Sequence, residues 1–272
     1  MTPRPALGNS LGTRAGGPAS QLAIWAALIG AWEGAFLVVG WKPWVFPAPS
    51  HVLASLSDLL GARSHYALPT ALLVSSTRLL AGFAMSTVIG LMCGLALWRW
   101  RWLDRTFGGF FLGLQTLPSV CWVPLSILVF GLNETGILFV LVMGSAFAMA
   151  IGFRDGLRTI PPVYEKAGLM MGARGLELYS RVLLPASMPG LVTSLRQGFS
   201  FAWRSLMGAE LIFMVRGQGV GYLLHQGREF SDIAQVIATM TVMILFGMVL
   251  DRTVFAPLER RVHARFGLAR AH

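Results

Sequence analysis

Residues 165–190 read EKAGLMMGARGLELYSRVLLPASMPG, with two Glu, one Lys and two Arg in a helix-prone run closed by Pro185 and Pro189. The chain around it is oily: of 272 residues, 55% are hydrophobic and 12% charged, against about 25% charged in a typical soluble domain. A charged, helix-forming segment in such a chain belongs outside the apolar layer, so it separates the runs on either side into distinct membrane spans.

Working outward, six apolar runs are long enough to cross a hydrocarbon core about 30 Å thick: roughly 21–41, 71–98, 107–131, 136–152, 190–215 and 233–255. The net charge is +10, carried by 20 Arg and 2 Lys that cluster between apolar segments. They do not form one solvated basic patch, which argues against nucleic acid as a partner. With the N-terminus inside, fifteen Lys and Arg fall on the cytoplasmic connections and four (Lys42, Arg63, Arg216, Arg228) on the outer ones. The expected fold is all-α and integral to the membrane, with six transmembrane helices and both termini cytoplasmic. A disordered tail covers 1–20, the transmembrane domain 21–256 with a cytoplasmic loop at 153–189, and a basic tail 257–272. The first apolar run is read as a retained helix, since no small-x-small cleavage site precedes WKPWVFP.

Two spans are unusual. In LQTLPSVCWVPLSILVFG, Pro118 and Pro124 each remove a backbone donor, which a membrane tolerates where neighbouring helices or a cavity satisfy the freed carbonyls. The fifth span contains Arg196, Arg204 and Glu210, and a charge at mid-bilayer costs about 2.5–3.5 kcal/mol even on insertion scales. Arg196, Ser200, Trp203, Met207 and Glu210 recur at steps of four and three along one helical stripe. That stripe faces a pathway or a partner helix; the alternative is that Arg196 snorkels to the cytoplasmic interface and Glu210 pairs with an Arg from another helix. With Arg78, Gln115, Pro118, Trp122 and Arg204, the residues Ser200, Trp203, Met207 and Glu210 form the pathway candidates. GLMCG (90–94) and GFFLG (109–113) have the small-xxx-small spacing of close helix contacts, which chance also produces in a chain with 31 Gly.

Other chemistries find little support. No Gly-Lys pair exists, so a phosphate loop for ATP is absent. GQGVGY at 217–222 follows no strand and reads as a turn. Cys93 and Cys121 lie in apolar runs without a CxxC or Cys/His pairing, and none of the five His lies in a span, so neither a metal site nor an enzyme is expected.

Several stretches together resemble the permease subunits of bacterial ABC importers of the nitrate, sulfonate and taurine family, from about Phe46 to Arg261. They are FPAPSHVLASLSDLL, SSTRLLAGFAMSTVIGLMCG, LQTLPSVCWVPLSILVFGLNETG, LRQGFSFAWRSLMGAELI and GQGVGYLL. The 165–190 segment resembles the family's cytoplasmic coupling motif, Glu-Ala-Ala, three residues, Gly, and later Leu-Pro. Gly172 and Leu184-Pro185 keep that spacing and Ala167 its second place, but Lys166 stands where the acid belongs and Glu165 one residue before it. The resemblance implies a type I ABC importer architecture in which residues 163–181 form an amphipathic coupling helix. Docking on a soluble ATPase would use apolar contacts from Ala167, Met170, Met171 and Leu178. It also implies a second permease copy, two cytoplasmic ATPase subunits holding ATP and Mg, and a periplasmic or lipid-anchored solute-binding protein meeting residues 42–70 and 216–232. The cargo expected is an organic sulfonate, taurine or nitrate, with a vitamin precursor or an ATP-independent channel or carrier as alternatives.

Overall fold

A computed structural model describes residues 18–61, 68–215 and 218–266. The expected N-terminal tail up to residue 17 and the last six residues lie outside them. All described regular structure is helical. α1 (Pro18–Val39) and α2 (Pro49–Leu60) precede the long α3 (Leu68–Arg99). A corner at Trp100 leads through α4 (Arg101–Leu103) and a π-turn at Asp104–Gly108 into α5 (Gly109–Thr116), followed by a 3₁₀ turn at Ser119–Cys121 and α6 (Trp122–Phe130). Then come α7 (Glu134–Arg158), α8 (Pro162–Met170), α9 (Leu176–Leu178) with a π-turn at Tyr179–Leu183, and α10 (Leu184–Ile212). α11 (Val220–Glu229), α12 (Ile233–Leu250), a π-turn at Asp251–Phe255 and α13 (Ala256–Arg265) complete the chain.

Among the described residues, four stretches are long and apolar enough to cross a membrane: Ala19–Val39, Leu68–Arg99, Glu134–Arg158 and Ile233–Arg265. The pair Arg101–Thr116 and Ser119–Phe130, bent by 98°, makes a fifth if taken as one broken span. Pro118 causes that bend: the residue before it is pushed out of helical geometry, and Leu117 sits at ψ 125. α10 is 29 residues, or about 44 Å at 1.5 Å per residue, but Arg196, Arg204 and Glu210 are spread along it, whereas the charges of α7 lie at its two ends. The final helix runs on to Arg265, so the stretch expected as a basic tail is helical through most of its described length. Residues 42–70 and 216–232, expected as outer loops, instead contain α2 and α11, which share an apolar cluster of Val52, Leu59, Leu68, Val220 and Leu223.

α7 is the centre of the bundle. It is 61% buried across its apolar window, whereas that of α1 is 0% buried. α3 runs parallel to α7 and α10 antiparallel, and both approach it closely because glycines remove the side chains that would hold the helices apart. A Cβ on Gly90 would stand 2.6 Å from Met149 Cβ, one on Gly94 2.7 Å from the Ala150 carbonyl, and one on Gly190 2.6 Å from Gly156 Cα. Ser145 of α7 donates to the Ser86 hydroxyl of α3 at 2.8 Å within the same seam. Of the two small-xxx-small matches, Gly90 and Gly94 face this contact, while Gly109 and Gly113 face open space. Replacing Gly190 with alanine is expected to destabilise the protein by about 1–3 kcal/mol, since helix backbones must separate. Gly113→Ala is expected to leave stability unchanged or slightly raised, and thermal unfolding in detergent micelles distinguishes the two.

The 163–181 stretch is not one helix. α8 ends at Met170 because Gly172 takes φ +88° and Gly175 φ +52°. The Gly172 N–H donates to the Leu169 carbonyl (3.1 Å) and the Ala173 N–H to that of Gly168 (3.0 Å). This is the paired bonding of a Schellman turn, which needs a residue at ease with positive φ.

Candidate functional site

At the end of the bundle that carries α11, Arg78 of α3 holds two carboxylates. Its Nε and Nη2 donate to Glu134 at 2.7 and 2.5 Å, and its Nη1 donates to Glu210 at 2.9 Å. Asn133 caps α7 by accepting from the Gly136 N–H (3.0 Å), which fixes Glu134 in the first turn beside Arg78. Glu210 is 2% exposed and also accepts from the Ser75 hydroxyl (2.7 Å) and the Gly221 N–H (3.0 Å). The Val220 N–H donates to Ser75 Oγ at 2.9 Å.

Two acids on one arginine leave a surplus negative charge. The amino end of α11, whose first free amides point at Ser75 and Glu210, compensates it. Gly219 and Gly221 permit this approach, because a Cβ on either would collide with Glu210. The run GQGVGY, read from sequence as a turn, is therefore in part the start of a helix capped by a carboxylate of α10.

The stripe expected on α10 divides. Arg196 donates to both oxygens of Asp251 (2.7 Å each) and to Glu259 (2.5 Å), tying α10 to the last helix. Trp203 is buried against Phe246 at 5.1 Å between ring centroids, Glu210 is inside the cluster above, and Met207 is half-buried. Ser200 alone of the five is exposed. The exposed polar line lies part of a turn away and runs through Thr193, whose hydroxyl donates to Glu259 at 2.9 Å, then Gln197, Ser200 and Arg204. Arg204 stacks over the Phe201 ring at 4.7 Å and donates to the Ser200 carbonyl at 3.1 Å, with no ion-pair partner among the described residues. A groove of about 410 Å³ runs beside it between α10 and α12, lined by Ser200, Trp203, Arg204, Met207 and Met243 among others.

The bend at Pro118 meets α10 where Val120 approaches Gly208. Pro118 and Cys121 are exposed at this corner. Gln115 and Trp122 are half-buried. Their Oε1 and Nε1 atoms are buried without a hydrogen-bond partner among the described residues.

At the opposite end, α8 rests on the next segment through Gly168, where a Cβ would stand 2.6 Å from Leu178 Cδ1. Leu178 is thereby buried, contrary to its expected place on a docking face, because the glycine stop folds it back under α8. Outward stand Met170 and Met171, 88% and 77% exposed, with Val163, Tyr164, Lys166 and Ala167 also exposed. Glu165 lines a cavity facing the α3–α4 corner. Leu184 and Pro185 open α10, with an apolar crevice between them and Phe266.

Residues 86–263 match the family described as the binding-protein-dependent transport system inner membrane component. The chain belongs to this family.

The permease is 31% identical over 180 residues to a putative ABC transporter permease protein of Methanocaldococcus jannaschii, covering 66% of its own length and 67% of the relative. It is 29% identical to the putative aliphatic sulfonates transport permease protein SsuC of Escherichia coli K12, with 89% of each chain covered. To the nitrate import permease protein NrtB of Synechocystis it is 23% identical over 66% of its length and 65% of the relative. Among solved structures, an inward-facing form of the MetNI methionine ABC transporter superposes with a TM-score of 0.60 over 72% of the permease and 95% of the matched chain, at 18% identity. That likeness establishes the fold.

Spacing alone missed Gln197 on the permease's exposed α10 face and Ser75 inside the Glu210 cluster. A helical wheel drawn around Arg204 instead of Arg196 places Gln197 and Ser200 on its line, and this was the available signal.

Proposed function

We propose that the permease is the transmembrane subunit of an ATP-driven importer. In this reading it crosses the inner membrane six times with both termini cytoplasmic, and α10 is the span that the apolarity of the others does not identify. It pairs with a second copy, and a small anion, an organic sulfonate, taurine or nitrate, passes along the Gln197–Ser200–Arg204 face of α10. The observation that carries this reading is Arg204, an exposed guanidinium without an ion-pair partner partway along a helix about 44 Å long. Against lipid it costs about 2.5–3.5 kcal/mol or more, so that face fronts water or a protein partner. A positive field there attracts anions, in keeping with the sulfonate and nitrate in the relatives' names. The unpartnered polar atoms of Gln115 and Trp122 suit a water-lined route. Arg78 and Glu210, first counted as pathway candidates, act in this reading as an internal clamp.

The arginine-rich connections gather at the α8 end, supporting its cytoplasmic placement. α8 then docks on an ATPase subunit that holds ATP and Mg, using Lys166, Ala167, Met170 and Met171, while the Schellman glycine Gly172 ends the handle. Two such ATPases closing on ATP move the handles and swing the bundles as rigid bodies toward a solute-binding protein seated over α2 and α11; hydrolysis resets them.

The test is uptake into proteoliposomes holding the permease, its ATPase and its binding protein. Arg204→Gln is expected to lower sulfonate or nitrate uptake by about tenfold or more while ATPase co-purification is unchanged. Uptake that persists without any ATPase subunit overturns the importer reading, and a wild-type rate in the variant overturns the pathway assignment.

A further inference from the structure

The turn out of α3 reads LWRWRWLDR over residues 97–105, and neither the pathway nor the docking handle uses it. Trp100 breaks the helix with an extended backbone (φ −114°, ψ 100°), turning α4 away from the axis of α3. The alternation of the sequence therefore becomes a projecting corner. Trp100 and Trp102 are 50% and 63% exposed, and Trp98 is held by an edge contact to Tyr179 (5.6 Å, 87°). Exposed tryptophans at the end of a membrane span belong at headgroup depth, where the ring meets acyl chain and the indole N–H meets water.

The charges beside them are arranged unequally. Asp104 pairs with Arg154 at 2.9 Å and with Arg158 at 2.7 Å. Arg101 and Arg105 are exposed and form no ion pair among the described residues. Both open onto a cavity of about 620 Å³ whose other walls include Arg158, Pro162, Glu165 and Tyr179. The cavity thus has two uncommitted guanidinium groups and an aromatic rim on the bundle side, and the coupling segment as its far wall. Of the two carboxylates in that lining, Asp104 is paired and Glu165 forms no ion pair among the described residues. A guanidinium fork fits phosphate oxygens in a way that water or a monovalent counter-ion does not. Basic pockets among helices at a membrane surface suit anionic lipid headgroups.

We propose that this corner binds the headgroup of an anionic phospholipid, with its phosphate on Arg101 and Arg105 and its acyl chains running past Trp100 and Trp102. The occupant fills the space behind α8 and so ties the position of the coupling segment to the lipid. The proposal depends on membership in a membrane-spanning family and not on the cargo, so it stands or falls separately from the transport reading.

Full-length permease in a neutral detergent is titrated with phosphatidylglycerol, phosphatidylcholine or inorganic phosphate, following lipid adducts by native mass spectrometry and the unfolding temperature. Phosphatidylglycerol is expected to bind and raise the unfolding temperature where phosphatidylcholine does not. Arg101→Gln with Arg105→Gln is expected to weaken that binding by roughly tenfold to thirtyfold, whereas Arg260→Gln with Arg261→Gln on α13 is expected to leave it unchanged. Both arginines of the corner are exposed, so the variant folds, and Arg101→Lys with Arg105→Lys is expected to restore part of the binding. An equal loss in the α13 pair, equal binding of phosphatidylcholine, or equal stabilisation by inorganic phosphate each overturns the proposal.

Discussion

Arg78→Ala is expected to lower the stability of the permease by about 3–5 kcal/mol, the cost of leaving a buried carboxylate without its partner. Glu210 is 2% exposed and keeps only Ser75 and the Gly221 amide once the guanidinium is gone. The loss is expected to propagate, because the same carboxylate caps α11 and sits against Gly219 and Gly221. Glu210→Gln is expected to cost less, since an amide oxygen still accepts from Ser75 and Gly221 and no charge is buried unpaired. Glu134→Gln is expected to cost least of the three, because the Glu134 side chain is 48% exposed and solvent screens its pair. Thermal unfolding of purified protein in detergent, with limited proteolysis of the 213–220 connection, checks this order. A full-strength fold in Arg78→Ala would show that the cluster is not a clamp.

Met170→Asp combined with Met171→Asp is expected to abolish ATP-driven uptake and ATPase co-purification without changing the amount of permease in the membrane. These side chains are the most exposed apolar groups of the coupling segment, at 88% and 77%. At that exposure they bury little apolar area within the permease itself. Burying two carboxylates in a protein interface costs several kcal/mol each, a loss in assembly of at least about a hundredfold. Glu165→Ala and Lys166→Ala are expected to have smaller effects, since both are exposed, solvated charges, Glu165 at the edge of the open cavity beside α8. Loss of assembly in Lys166→Ala alone would make that lysine the main contact.

Much of the fold was legible because membrane spans are specified by composition over some twenty residues, and that survives without tertiary knowledge. The bend at Pro118 was legible too, since a proline acts on its own backbone and on the residue before it. The charged segment was legible in its far boundary, where Leu184-Pro185 opens α10, but not in its stop: the helix expected over 163–181 ends at Met170, because Gly172 and Gly175 take positive φ. Its inner face was not, because the burial of Leu178 depends on Gly168 lying across from it after the chain has doubled back at Gly172 and Gly175.

By itself, then, the sequence determined that this is a membrane protein of apolar helices interrupted by a charged segment, and roughly where the apolar helices lie. These are local properties, written in hydropathy, proline and glycine. Only the tertiary structure decided which face of α10 is free. A helical period states which residues share a side, but not what covers it. Here Arg196 is covered by acids 55 and 63 positions away and Glu210 by an arginine 132 positions away. Among the polar residues of α10, what the packing leaves uncovered is Thr193, Gln197, Ser200 and Arg204.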